Sequence, residues 1–170
     1  MRNQKGFTLI ELIIVIVVLG ILAVTAAPQF INFSSDARTS TVKGLKGAVQ
    51  GAAQTVYAKA AIEGQLGATG TVGNVGTVNG YPSATDTDTN GLAEIAEAAN
   101  LSASDWTAFI NDTAGKVYFG PADLIESATS ANDFIDVDSG TSGDQGCFVS
   151  YTNAVDSDTP PVIDSATNGC

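Results

Sequence analysis

From Leu12 to Val24 every position is apolar except Gly20. The stretch Phe7 to Ala27, with Glu11 as its one charge, has roughly the 20 residues that a helix rising about 1.5 Å per residue needs to cross a bilayer core. A membrane-spanning helix is therefore expected. Pro28 lacks an N–H and clashes with the preceding turn, which predicts a kink near Val24. Beyond it, Val42, Leu45, Val49, Ala52 and Val56 recur at spacings of three and four, the signature of one helix face. Arg38, Lys43, Lys46 and Lys59 fall largely away from that stripe, and Gly64 is the expected stop. Gly44, Gly47 and Gly51 each weaken a helix by about 1 kcal/mol relative to alanine, so they are read as a close-approach surface for the head's sheet or for a neighbouring helix.

The pattern then changes. Residues 67–80 alternate Thr and Val with Gly and Asn without a strong period and read as a loop with at most a short edge strand. Leu92 to Asn100 reads as a short helix, and Ser102 and Asp105 as a cap before a helical turn carrying Trp106, Phe109 and Ile110. Strands are expected at Lys116–Phe119, Phe134–Val137, Phe148–Thr152 and Pro161–Ile163, with Asn153–Thr159 turning between the last two. The predicted class is α+β: a long N-terminal α-helix, membrane-spanning in its first half and amphipathic in its second, packed on a C-terminal antiparallel β-sheet head.

Charge narrows the chemistry. The formal net charge is −11, and after Glu63 the only basic side chain is Lys116. Such a head repels phosphates, so direct nucleic-acid binding is not expected. The chain has no histidine, hence no His general base and no His-ligated zinc, and it shows no nucleophile signature or phosphate loop. It is read as a non-enzyme that requires no cofactor. Arg2 and Lys5 hold the leading end in the cytoplasm, which places the head outside the inner membrane, where Cys147 and Cys170 can oxidise. A bond between them closes the C-terminal end and stabilises by about 3.4 kcal/mol on the chain-entropy argument. Asp86, Asp88, Asn90, Leu92 (through its carbonyl) and Glu97, with Gly91 at the sharp turn, fit the spacing of a calcium loop, although Tyr81-Pro82 is no entering helix. The bland alternative is an Asx turn leading into a helix. Asp133, Asp136, Asp138 and Asp144 form a second acidic cluster with a weaker case.

The leading end carries the most specific signal. A cleaved secretory signal fits poorly, because the small residue Gly6 precedes the apolar run; a plain signal anchor fits but leaves Glu11 unexplained. Gly6-Phe7-Thr8-Leu9-Ile10-Glu11 followed by the Ile/Val/Leu run resembles the prepilin signature of type IV pilins and their pseudopilin relatives. The resemblance implies cleavage between Gly6 and Phe7 by a prepilin peptidase, N-methylation of Phe7, and guidance of assembly by Glu11 meeting the Phe7 amine of a neighbouring subunit. It also implies that the Gly20–Pro28 segment unwinds in the assembled fibre. A carboxylate alone in hydrocarbon is costly unless protonated or paired, which supports the pairing role independently. Leu45 to Ala52, Gly80-Tyr81-Pro82, Asp105-Trp106-Thr107 and the Cys147-to-Cys170 end are similar to type IVa major pilins of the mannose-sensitive haemagglutinin group.

The implied organisation is a leader at residues 1–6, a transmembrane and filament-core helix at 7–33, an amphipathic helix at 34–63 and a globular head at 64–170. The implied function is a structural subunit, a major pilin, polymerising with its own copies into a surface fibre for adhesion, attachment and motility. Its partners are the inner membrane before assembly, the peptidase/methylase, the assembly machinery, and surface or glycan receptors. It would reside in the inner membrane with a periplasmic head, then in the extracellular pilus. Two other readings stay open: a type II secretion pseudopilin, and a monomeric membrane-anchored calcium-binding module.

Overall fold

The computed structural model describes residues 6–87, 91–125, 127–135 and 146–170, without the side chains of 25–32 and 135. Two compact units result, Met1–Ala37 and Arg38–Cys170. One helix, α1 (Leu9–Glu63), contributes to both. In the first unit it carries the apolar run, with Phe7 and the large apolar side chains from Leu9 to Val24 exposed. Its helical assignment runs unbroken through Gly20 and Pro28; the side chain of Pro28 lies outside the described set.

In the second unit α1 is one-sided. Val42, Leu45, Val49 and Ala53 are buried, and Ala52 and Val56 are half-buried beside them. Each fully buried Val or Leu contributes about 1.5–3 kcal/mol. Gly64 ends the helix at φ +72°, and the N–H of Gln65 returns to the Ala60 carbonyl at 2.8 Å, a left-handed C-terminal cap that glycine adopts without strain. Gly44, Gly47 and Gly51 are exposed, and a Cβ on any of them would meet nothing within 4 Å. They therefore do not receive this molecule's own sheet.

Against the buried stripe lies a four-stranded antiparallel sheet in sequential order, β4 (Trp106–Asn111), β5 (Lys116–Pro121), β6 (Phe148–Thr152) and β7 (Val162–Ala166). Val117 and Phe119 of β5 pair with Tyr151 and Val149 of β6, so their apolar side chains form one patch in the core that includes Val42, Leu45 and Val49. This is the α+β arrangement expected from the sequence. The strands foreseen at Lys116–Phe119, Phe148–Thr152 and Pro161–Ile163 are present.

Three local expectations fail. Residues 67–80 are not a loop. They build β1 (Gly70–Val72) and β2 (Val75–Val78), which join β3 (Tyr81–Pro82) in a second antiparallel sheet. Both connections are two-residue hairpin turns. Gly73 opens the first at φ +66°, and Asn79-Gly80 makes the second with φ of 54° and 82°. Two positive φ values match the right-handed twist of paired strands, and Asn-Gly is the pair that adopts them most cheaply. Trp106, Phe109 and Ile110 lie in a strand, not a helical turn. Five residues cannot separate the two periods, and the β-branched and aromatic content of Trp106–Asn111 favours the sheet. Phe134 belongs to a short helix, α3 (Asn132–Ile135), and stacks on Tyr118 at 5.8 Å; residues 136 and 137 lie outside the described set. The expected helix between Leu92 and Asn100 is α2 (Glu94–Ala98).

The small sheet is tied to the rest by polar bonds. The buried Tyr151 hydroxyl donates to the Pro82 carbonyl at 2.7 Å, and burial pushes its pKa well above the ordinary phenol value, so it remains a donor. Tyr81 stacks on Tyr57 of α1 at 4.3 Å. At the C-terminal end Cys147 and Cys170 form a disulfide with Cα atoms 4.9 Å apart, clamping the start of β6 to the last residue.

Two substitutions test this account. Gly80→Ala forces a side chain into φ +82° beside Leu66 and Tyr57, and is expected to lower stability by about 1–3 kcal/mol in thermal unfolding. Cys170→Ser opens the loop of sequence separation 23 and is expected to cost about 3 kcal/mol in the same assay.

Candidate assembly site

The leading end of α1 is the first candidate site. Leu9 is the first helical residue, so Thr8 occupies the capping position and Glu11 the third helical position. The Glu11 N–H donates to Thr8 Oγ1 at 3.3 Å, while the Thr8 N–H and hydroxyl both donate to Glu11 Oε2 at 2.8 Å. This reciprocal pair is a capping box, which satisfies two of the donors a helix start leaves without partners. The carboxylate also sits at the positive end of the helix dipole. Phe7, adjacent to the cap, is 89% exposed. An amine created at Phe7 would therefore be one residue from the group that holds the carboxylate. Gly6 is exposed with open space around it. The described part of the apolar run, Leu9–Val24, is about 24 Å long, against roughly 30 Å of hydrocarbon core. Among the described residues no helix is long and apolar enough to cross a membrane.

Only part of the calcium spacing around Asp86 lies within the described residues. Asp88 and Asn90 lie outside the described residues. Asp86 Oδ2 accepts from the Gly91 N–H, five residues on, at 2.6 Å. Glu94 holds the loop through its carboxylate. Glu94 is buried, its Oε2 accepts from the Gly76 N–H at 2.7 Å, and its Oε1 accepts from the N–H and hydroxyl of Thr87. A buried carboxylate needs several donors, and here they lock the loop before α2 onto β2. Leu92 and Glu97 are half-buried. Among the described residues no group of three or more acidic, histidine or cysteine side chains is placed to hold a metal ion. In the second cluster Asp136, Asp138 and Asp144 lie outside the described set. Asp133, in the first turn of α3, ties down the preceding loop by accepting from the N–H groups of Thr129 and Ser130, and these bonds hold its pKa below the ordinary value.

Basic residues complete the electrostatics. Arg38 donates twice to Asp123 Oδ2, at 3.0 and 2.8 Å, tying the start of the second unit's helix to the turn after β5. Lys59 lies 3.8 Å from Glu63, and Lys116 lies over the Tyr118 ring at 4.8 Å. Sequence reading missed the capping role of Thr8, the Arg38–Asp123 pair and the Glu94 clamp. The first was legible, because Thr8-Leu9-Ile10-Glu11 has the capping-box spacing. The other two join residues 85 and 18 positions apart and leave no local pattern.

Comparison with known proteins bears on the same end of the chain. Residues 1–27 match the family described as the prokaryotic N-terminal methylation motif. The chain is 52% identical over 44 residues to the type IV major alpha-pilin of Moraxella bovis, covering 26% of this chain and 28% of that one. It is 46% identical over 59 residues to the type IV narrow pilus major component of Thermus thermophilus, covering 34% and 51%. It is also 46% identical over 43 residues to the type II secretion system core protein G of Pseudomonas aeruginosa, covering 25% and 30%. The matches thus span from about a quarter to about half of these relatives' length. No solved structure matches the chain.

Proposed function

We propose that this protein is the structural subunit of a type IV pilus, a major pilin that polymerises through its N-terminal helix into a surface fibre. The observation that carries the reading is the methylation motif on residues 1–27 placed directly against a capped helix whose large apolar side chains, from Leu9 to Val24, are exposed. Exposed apolar surface on that scale has to be covered by lipid or by other helices. Before assembly the inner membrane covers it, with the head in the periplasm; in the fibre neighbouring helices do. The chain divides accordingly into a leader (1–6), a filament-core helix (7–33), an amphipathic helix (34–63) and a head (64–170). A peptidase cuts between Gly6 and Phe7 and the new amine is methylated. The similarity of Leu45–Ala52, Gly80-Tyr81-Pro82, Asp105-Trp106-Thr107 and the Cys147-to-Cys170 end to mannose-sensitive haemagglutinin-type pilins supports attachment as the role of the fibre.

The chemistry of joining follows from charge. Hydrocarbon surroundings penalise an isolated Glu11 carboxylate and an isolated Phe7 ammonium alike. Bringing the amine of one subunit to the Glu11 of the next neutralises both, and a misplaced helix leaves both unpaired. The pair therefore selects register more than it adds stability. In the single subunit the capping box holds the carboxylate at the helix start, already oriented for that exchange. The match to a secretion-system core protein keeps the location of the fibre a necessary measurement.

Glu11→Gln is the informative variant, because glutamine preserves the cap and removes the charge. Sheared fibres are expected to fall at least about tenfold for Glu11→Gln and Glu11→Ala and to persist for Thr8→Ala, which breaks the cap but keeps the carboxylate. Mass spectrometry of the wild-type fibres is expected to find Phe7 as the methylated first residue. Fibres of Glu11→Gln at wild-type yield, or mature protein beginning at Met1, would end this reading. Microscopy showing no surface fibres in the wild type would end its placement on the cell exterior.

A further inference from the structure

We propose that in the fibre the β6–β7 hairpin of one copy's head docks on the outward face of α1 in a second copy, with Lys43 at the edge of that face receiving its carboxylates. The proposal rests on the polymer reading above and names the contact between heads and helices within it.

The charge distribution is lopsided. Of the seven basic residues, Arg2 and Lys5 precede Gly6, Lys116 is in the sheet, and the rest lie on α1 between Arg38 and Lys59. Arg38 is paired with Asp123, Lys59 lies near Glu63 and Lys116 lies over an aromatic ring. Lys43 and Lys46 meet no carboxylate among the described residues. Lys43 is exposed and Lys46 half-exposed. A chain of net charge −11 cannot stack its acidic heads closely without placing its few cations against a neighbour's acids.

The hairpin supplies the complement. Beyond α1 towards the C-terminus, the large apolar residues left exposed among those described are Val155, at 84%, and Val162, at 56%. Both belong to this hairpin, and the exposed carboxylates Asp156, Asp158 and Asp164 sit beside them. The tip is built to hold its shape. Asp156 Oδ1 accepts from the N–H groups of Asp158 and Thr159, at 3.0 and 2.6 Å. Tyr57 donates to the Ser157 carbonyl at 3.2 Å and Asn79 to the Ala154 carbonyl at 3.0 Å. The Asp158 side chain has no such partner among the described residues. A stiff, apolar, acidic projection is pre-organised for a contact that this molecule does not make itself.

The receiving face fits in shape. At about 100° per residue, Gly44, Gly47 and Gly51 lie opposite Val42, Leu45 and Val49, which face the head's own sheet. Bare helix surface alone selects no partner. The lysine at its edge does. The same molecule cannot close the contact: its tip is bonded at Tyr57, about 21 Å along the helix from Lys43. A tip reaching a lysine must therefore be another copy's, shifted along the axis. A head-to-tail contact of this kind leaves a free face at each end and extends as an open polymer.

Charge exchange tests the contact in whole fibres from cells. Lys43→Glu and Asp158→Lys are each expected to lower sheared-fibre yield by about tenfold, and the double variant to recover to within about twofold of wild type. Neither side chain makes an intramolecular bond among the described residues, and heat-unfolding of each variant confirms an intact head. A second measurement does not depend on yield. Lys43→Cys with Asp158→Cys is expected to give a ladder of disulfide-linked subunits from sheared fibres on a non-reducing gel, and either single variant none. Normal yields from the single charge variants, failure of the double to recover, or fibres of the paired-cysteine variant without a ladder would each overturn the docking while leaving the pilus reading standing. A wild-type strain without fibres would instead remove the polymer reading, and this contact with it.

Discussion

The burial of one face of α1 is the constraint on which the head depends. Val42, Leu45, Val49 and Ala53 complete a core whose other members come from β5, β6 and the α2 region. Without that stripe the sheet would present Val117, Phe119, Val149 and Tyr151 to water, and an antiparallel sheet with an uncovered apolar face invites association. Without the sheet, a helix containing Gly44, Gly47 and Gly51 would have little reason to persist, since each costs about 1 kcal/mol against alanine. Those glycines gain nothing from this molecule's own packing, because a side chain at any of them would meet open space. Tertiary burial on one face thus sustains a helix whose opposite face is kept small.

The division between what the chain revealed and what it hid follows the range of the interactions. The helix stripe, the glycine stop at Gly64 and the strands with strong β composition rest on neighbours within one or two turns or pleats, so their periodicity is visible. The hairpin at Val75–Pro82 was equally local and was still missed. Its alternation is diluted by glycine and threonine, and Asn79-Gly80 outweighs that weak pattern once the turn chemistry is considered. Trp106 to Ile110 went wrong for a different reason: an apolar pair at helical spacing over five residues is also compatible with a strand whose two faces are both half-covered. The β propensity of Phe134 favours a strand, whereas the Asp133 bonds to the preceding loop and the aromatic stack on Tyr118 accompany a short helix there. Glu94 could not have been separated from Glu97 by sequence, because its partners Gly76 and Thr87 come from other parts of the chain.

Glu11 shows how one carboxylate can hold two positions in succession. In the subunit it completes a capping box with Thr8, which fixes the helix start. A cationic amine at Phe7 would compete for the same oxygens, since charge-assisted hydrogen bonds are roughly twice as strong as neutral ones. In the proposed fibre the acid would stay oriented by Thr8 until a neighbour's amine offers a better donor. Acids of the head serve their own backbone in the same way. Asp86 accepts from the Gly91 N–H, and Glu94 accepts from the N–H groups of Gly76 and Thr87.

In the proposed fibre, apolar contact and polar contact divide the labour of polymerisation. Burial of Ile, Val and Leu side chains is strong but non-directional, and it tolerates a sliding neighbour. A charge pair in a poorly hydrated setting does not, because a slipped register leaves two uncompensated charges. The first unit of this chain offers abundant apolar surface with Glu11 at its start; the second offers a bare helix face edged by Lys43, which meets no carboxylate among the described residues, and an acidic hairpin. Each unit thus combines a broad adhesive area with a small number of groups that reject the wrong alignment. Two such filters acting on one subunit discriminate more sharply than either alone, since an arrangement that satisfies the apolar surfaces must also satisfy both sets of charges before it is retained.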